Sequence, residues 1–199
     1  MRSLTIILFS VFSAKFSLCQ IPTLVDTLAD DMSPNGSIEM LHLYNQPLDR
    51  YEIWFVNIND STNIFLFDST SFQNAEVIFS PNDQWVAENI EIVSNYRTVV
   101  LFKRIKGVHF EEVKGAQIEK RALSLFAKSN HLAAPPTYDH TATFVVSWSE
   151  NSETLLVEIE GHLGLNHYLS PWYCNYNVRS LNASLNPGKA QINNHAFHR

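Results

Sequence analysis

Histidine is the residue with the most chemistry to offer in this chain of 199 residues, which carries eight of them. His162 and His167 are spaced H-x4-H, tolerable for two zinc ligands, with His140 or Cys174 available as a third. No helical H-E-x-x-H and no paired cysteines accompany them. The pair falls in Gly161 to Ser170, which reads as a loop where histidine serves for polar reasons alone. Asp139-His140 supplies two members of a hydrolytic triad, in which a carboxylate orients an imidazole that deprotonates a serine. Adjacent residues on an extended chain point to opposite sides, however, and no G-x-S-x-G elbow is present, so a turn before a strand explains the pair better. Glu158 and Glu160 share one face of a strand about 7 Å apart, within glycosidase range. The solvated face of an antiparallel strand accounts for them without chemistry.

Recognition is the other chemistry on offer. Trp54, Trp85, Trp148 and Trp172 are flat amphipathic rings of the kind that bind carbohydrate or peptide, but most sit in apolar strands where core packing claims them. Trp172 is the exception, because it closes Gly161 to Trp172 (GHLGLNHYLSPW), a connection longer than a hairpin needs. His162, His167, Tyr168 and Trp172 are therefore the candidate binding residues. The sequence assigns no catalytic residue, no metal set and no cofactor.

These residues must be held by something, and the composition says what kind of chain holds them. It is 45% hydrophobic and 17% charged with only 6 Gly and 8 Pro, which fits one globular domain. Fourteen basic residues against 20 acidic ones give a net charge of −6, with no basic stripe to neutralise a row of phosphates. Nucleic acid is excluded as a partner on that ground. Residues 1 to 19 read as an export leader: Arg2, the apolar Leu4 to Phe12, then Ser17 and Cys19 three and one residues before Gln20. The apolar run is too short to span a bilayer. Cleavage after Cys19 removes Arg2 and Lys15 and leaves 12 basic residues against 20 acidic ones, a net charge of −8. A lipid anchor on Cys19 is the second reading, disfavoured because Leu18 is not the small residue a lipid box wants. Without Cys19, Cys174 is unpaired and reads as a buried small hydrophobe.

The elements expected between residues 20 and 180 are mainly strands. Tyr51 to Ile58 and Ile64 to Phe67 form a hairpin around Asn59 to Asn63, and Ser33-Pro34-Asn35-Gly36 is a turn before a short strand at Ser37 to Tyr44. Strands follow at Ala75 to Phe79, Trp85 to Glu91, Thr98 to Ile105 and Val108 to Val113, the last two joined by Lys106-Gly107. Ile118, Ala122, Leu125 and Phe126 recur at helical spacing between Gly115 and Asn130, with Glu119, Lys120 and Lys128 opposite. Strands resume at Thr141 to Trp148, Thr154 to Glu160 and Trp172 to Val178. Leu155, Val157 and Ile159 are expected to point into the core while Leu156, Glu158 and Glu160 point to water. Residues 181 to 199 read as a loose tail.

Two stretches overlay: Val77-Ile78-Phe79-Ser80-Pro81-Asn82-Asp83-Gln84-Trp85-Val86-Ala87, and Val145 to Val157 with its turn Ser149-Glu150-Asn151-Ser152. The first resembles the S-P-D-G-x-W-[IVL]-[AV] signature of TolB-like, WD40-like propeller blades, with Asn82-Asp83 in place of Asp-Gly. The second resembles the W-S-x-D-S-x-x-L-L-V form, and Ile53-Trp54-Phe55-Val56 is similar to an outer blade strand. Two copies are visible between Tyr51 and Arg179, against the four to eight of a closed propeller. The resemblance implies a bacterial exported protein built of antiparallel blade-like sheets, partly propeller-like or sandwich-like, under one covering helix. Trp85 and Leu155, each opening the strand after its turn, are expected to be buried. The function expected is an exported binding or interaction module with a protein or carbohydrate partner, periplasmic or secreted. The rival is a metal-assisted or carboxylate-dependent hydrolase using His140, His162 and His167, or Glu158 and Glu160.

Overall fold

The computed structural model describes residues 25–60, 63–69, 75–93, 96–132, 140–163 and 167–185. The leader expected at residues 1–19, with Cys19, as well as Asp139 and the chain from 186 onward, lies outside the described residues. The fold is mainly β, with antiparallel sheets and, among the described residues, a single α-helix. The first sheet is an antiparallel meander of β1 (Val25–Met32), β2 (Ile38–Asn45), β3 (Arg50–Asn57) and β4 (Asn63–Ser69). The second runs β5 (Ala75–Phe79), β6 (Trp85–Val93), β7 (Tyr96–Lys106) and β8 (His109–Glu112). After α1 (Ile118–Ser129) the third runs β9 (His140–Trp148), β10 (Thr154–Leu163), β11 (His167–Asn177) and β12 (Asn182–Ser184). A short parallel pairing, Tyr96↔Thr141 and Arg97↔Ala142, joins the second and third meanders into one eight-stranded sheet. β12 occupies the start of the stretch expected to be a loose tail, paired along β11.

The turn between the first two strands of each meander is the same structure three times. Ser33, Ser80 and Ser149 each accept the backbone N–H five residues on, from Ile38, Trp85 and Thr154, at 3.1, 3.0 and 3.0 Å. Asn35, Asn82 and Asn151 each accept the N–H two residues on, at 2.9, 3.0 and 3.1 Å. These side chains satisfy backbone donors that no ladder reaches inside a tight turn. The fourth position is left-handed in every case, at Gly36 (φ 70°), Asp83 (φ 54°) and Ser152 (φ 59°). The first copy, Ser33 to Ser37, reads in sequence only as turn chemistry. Its side-chain bonds make it the third repeat.

The shared bonds also correct the alignment of the repeats. Trp85 corresponds to Thr154 and Ile38, so Leu155 corresponds to Val86. Leu155 and Val86 are fully buried, whereas Trp85 is half-buried beneath Lys103, whose ammonium lies 5.4 Å from the ring centroid.

Alternation along β6 sends Val86 to one core and Ala87 to the other, so the second sheet is buried on both faces. One core joins Ile38, Met40, Ile53 and Phe55 of the first sheet to Val77, Val86, Val108 and Phe110 of the second. The other joins Ala87, Val99 and Leu101 to Val145, Leu155, Val157, Ile159, Cys174 and Tyr176 of the third, with Ile118 and Ala122 of α1. Between these sheets Asn89 does the work of a missing ladder. Its side chain donates to the Val145 carbonyl at 3.0 Å and accepts the Val145 N–H at 2.8 Å. Asn82 N–H donates to Ser152 Oγ at 3.0 Å, and Trp148 Nε1 donates to the Ile78 carbonyl at 3.1 Å. α1 buries Ile118, Ala122 and Phe126 at helical spacing, as its periodicity predicts. Tyr96 and Thr98 hold Glu119 in its first turn, and the Tyr176 hydroxyl donates to the Ala116 carbonyl just before it.

Candidate functional site

Register decides where the sequence candidates stand. The Gly161 to Trp172 stretch, expected to be a loop, is largely paired backbone: β10 runs to Leu163 and β11 starts at His167. Gly161 faces Leu169, His162 faces Tyr168 and Leu163 faces His167. The register shifts between Ile159 and Gly161, beside Pro171, which has no N–H to give a ladder. On its other flank β10 pairs β9 without a shift from Val157 onward, and His162 faces His140. His140, His162 and Tyr168 therefore stand in one cross-strand row. His167 stands opposite Leu163, and the side chains of His140, His162, His167 and Tyr168 lie outside the described residues.

Trp172 is opposite Ile159, on the face that α1 covers. It is half-buried, with its ring edge-on to Phe126 at 5.3 Å. Of the four candidates, Trp172 is the one whose side chain is described, and it packs against the helix. Cys174 lies in the core, and burial pushes its thiol up to about 12. A fully buried thiol held protonated has the environment of an inert structural cysteine.

Glu158 corrects the expectation of a wet strand face. It is 1% exposed and Leu156 beside it is equally buried, so β10 is enclosed on both sides through its middle. Only at Glu160, half-buried, does the row open toward solvent.

Two further carboxylates are buried in the first two sheets, in opposite conditions. Glu52 on β3 accepts from Asn45 Nδ2 at 2.9 Å, Arg50 Nε at 2.7 Å and Trp54 Nε1 at 2.8 Å. Burial alone would raise its carboxyl, but these donors together outweigh burial and hold it below the usual range. Glu88 on β6 sits between Val77 and Val100, and burial pushes its carboxyl up to about 8. Glu52 is a satisfied anchor for the β2–β3 hairpin. Glu88 is neutral below that pH.

A groove among the described residues lies outside the sequence candidates. A groove of about 400 Å³ runs between α1 and β12, lined by Lys120, Arg121, Ser124 and Lys128 on the helix and Asn182 on the strand. Spacings of three to four residues bring these to one helix face. Arg121 is fixed there: it donates to the Ala116 carbonyl at 3.1 Å, the Gly115 carbonyl at 3.4 Å and Asn182 Oδ1 at 3.3 Å. Among the described residues no carboxylate lines the groove, and Glu119 is engaged by Tyr96 and Thr98 on β7. The sequence signal was Lys120 and Lys128 on the polar face of the helix. What it lacked was β12, which makes the second wall.

No family model matches this sequence, and no curated protein does. Among solved structures the chain is similar to TolB from Acinetobacter baumannii, at 10% identity and a TM-score of 0.45. The likeness covers 82% of this chain and 33% of that one, so the chain spans about a third of that structure's length.

Proposed function

We propose that this chain is an exported interaction module whose α1–β12 groove takes an acidic segment of a partner polypeptide. The observation that carries the reading is the groove itself: three cationic side chains and, among the described residues, no carboxylate, on a chain whose net charge is −6. Against that acidic background an anionic partner is repelled at long range and attracted only at the groove, which makes recognition local. The fixed guanidinium of Arg121 needs little further ordering on binding. Exposed ion pairs contribute about 0.2–1 kcal/mol each, so three of them give weak, salt-sensitive capture. Export rests on the leader at residues 1–19. Among the described residues no helix is long and apolar enough to cross a membrane.

The test is fluorescence anisotropy with a labelled Asp/Glu-rich peptide. Saturable binding should weaken roughly tenfold in Lys120→Glu/Lys128→Glu and disappear in high salt, since like charge at the rim reverses the local attraction. Glu111→Lys, whose side chain is exposed on β8, should leave affinity unchanged or slightly improved. Equal binding by the parent and the groove variant removes the reading.

A further inference from the structure

We infer that the acidic segment taken by the α1–β12 groove is the edge strand β1 of a second copy of this chain. The inference rests on the reading of the groove as a site for an acidic polypeptide, and it names that polypeptide. Asp26, Asp30 and Asp31 are exposed on β1, and so are Leu28 and Met32 among them. Among the described residues β1 pairs β2 alone and β12 pairs β11 alone, so each leaves an outer edge open. The second sheet is covered on one face by the first sheet and on the other by the third with α1. Within one copy β1 and the groove therefore lie on opposite sides of it, and the contact joins one copy to the next.

Charge and spacing match. The register of β1 shifts between Thr27 and Ala29, which puts Asp26, opposite Tyr44, and Asp31, opposite Met40, on one face of the strand. With one residue taken up by the bulge, these carboxylates stand about four strand rises apart, roughly 13 Å. Lys120 and Lys128 are eight residues apart on α1, which is about 12 Å along its axis, and Arg121 is fixed beside Lys120. Leu125 and Ala183 in the groove offer apolar surface to Met32, the neighbour of Asp31. Two copies of net charge −6 repel one another, but at physiological ionic strength the screening length is about 8 Å, so that repulsion fades while close pairs at the groove persist. Strand and groove are different surfaces, so the association is head-to-tail, and it propagates unless the assembly closes on itself.

Sedimentation velocity of the full chain, in a concentration series reaching the millimolar range, tests this. The parent should associate at physiological ionic strength and dissociate in high salt. Asp26→Lys/Asp31→Lys and Lys120→Glu/Lys128→Glu should each associate roughly tenfold more weakly or worse. The first pair takes the net charge from −6 to −2, since each replacement adds two, so general repulsion falls while the contact is lost. Mixed in equal amounts, the two variants should form a complex again, because the intact groove of the first meets the intact β1 of the second. Circular dichroism verifies each fold, and Asp26→Asn/Asp31→Asn repeats the test if the lysine variant unfolds. A parent that stays monomeric throughout the series overturns the inference, and so does Asp26→Lys/Asp31→Lys associating as well as the parent. Anisotropy with the Asp/Glu-rich peptide separates the two readings: a monomeric parent that still binds the peptide keeps its acidic-segment groove and loses only the second copy, and one that binds neither loses both.

Discussion

Replacing Glu88 by Gln should abolish a large pH dependence of stability. Glu88 is 2% exposed among aliphatic neighbours, and burial lifts its carboxyl from 4.5 to about 8. A carboxyl raised in the fold ionises first in the unfolded chain, so its contribution is fully present below pH 4.5 and is lost as pH rises through 8. Each pH unit between those values removes about 1.4 kcal/mol, which makes the loss roughly 4 kcal/mol between about pH 5 and pH 9. That is a large part of the stability of an ordinary domain. The Gln variant keeps the volume and the neutral state but cannot titrate. Urea unfolding of both proteins across this range isolates Glu88, because every other titrating group cancels in the difference. The parent should fall relative to the variant by several kcal/mol, most steeply between about pH 5.5 and pH 7 and levelling off above pH 8. A difference that stays constant within about 1 kcal/mol would show that Glu88 ionises in the fold without penalty, and the burial argument would fail.

Two other changes act on the repeats. Asp83 is fully buried, with both carboxylate oxygens lacking a hydrogen-bond partner, and holds the left-handed position that Gly36 holds in the first turn. Asp83→Gly should stabilise by about 1–3 kcal/mol, since removing an uncompensated buried carboxylate outweighs the entropy cost of glycine; a lower urea midpoint would refute it. Leu155→Ala, at a site with no exposure between the second and third sheets, should cost about 2–5 kcal/mol, and an unchanged midpoint would deny that this core is close-packed.

The sequence by itself determined the β class, the position of α1 and two of the three turns, because each is a local matter. Ile118, Ala122 and Phe126 repeat at the helical period whatever they pack against. Ser80 and Asn82 need only their own neighbours to build a turn. The third turn was legible as Ser33-Pro34-Asn35-Gly36 but not as a repeat, since its equivalence lies in hydrogen bonds rather than in flanking residues. What tertiary structure decided depends on partners distant in the chain. Alternation in β10 says that Glu158 opposes Leu155 and Val157, and cannot say that its own face is also enclosed. Glycine, histidine and proline made Gly161 to Trp172 look like a loop, yet a shifted register absorbs Pro171 and keeps both strands. The groove exists because β12 comes back beside α1, about sixty residues later in the chain. His140 and His162 are 22 residues apart in sequence and directly opposed in the sheet, because strand register, which no spacing rule encodes, sets which residues face each other.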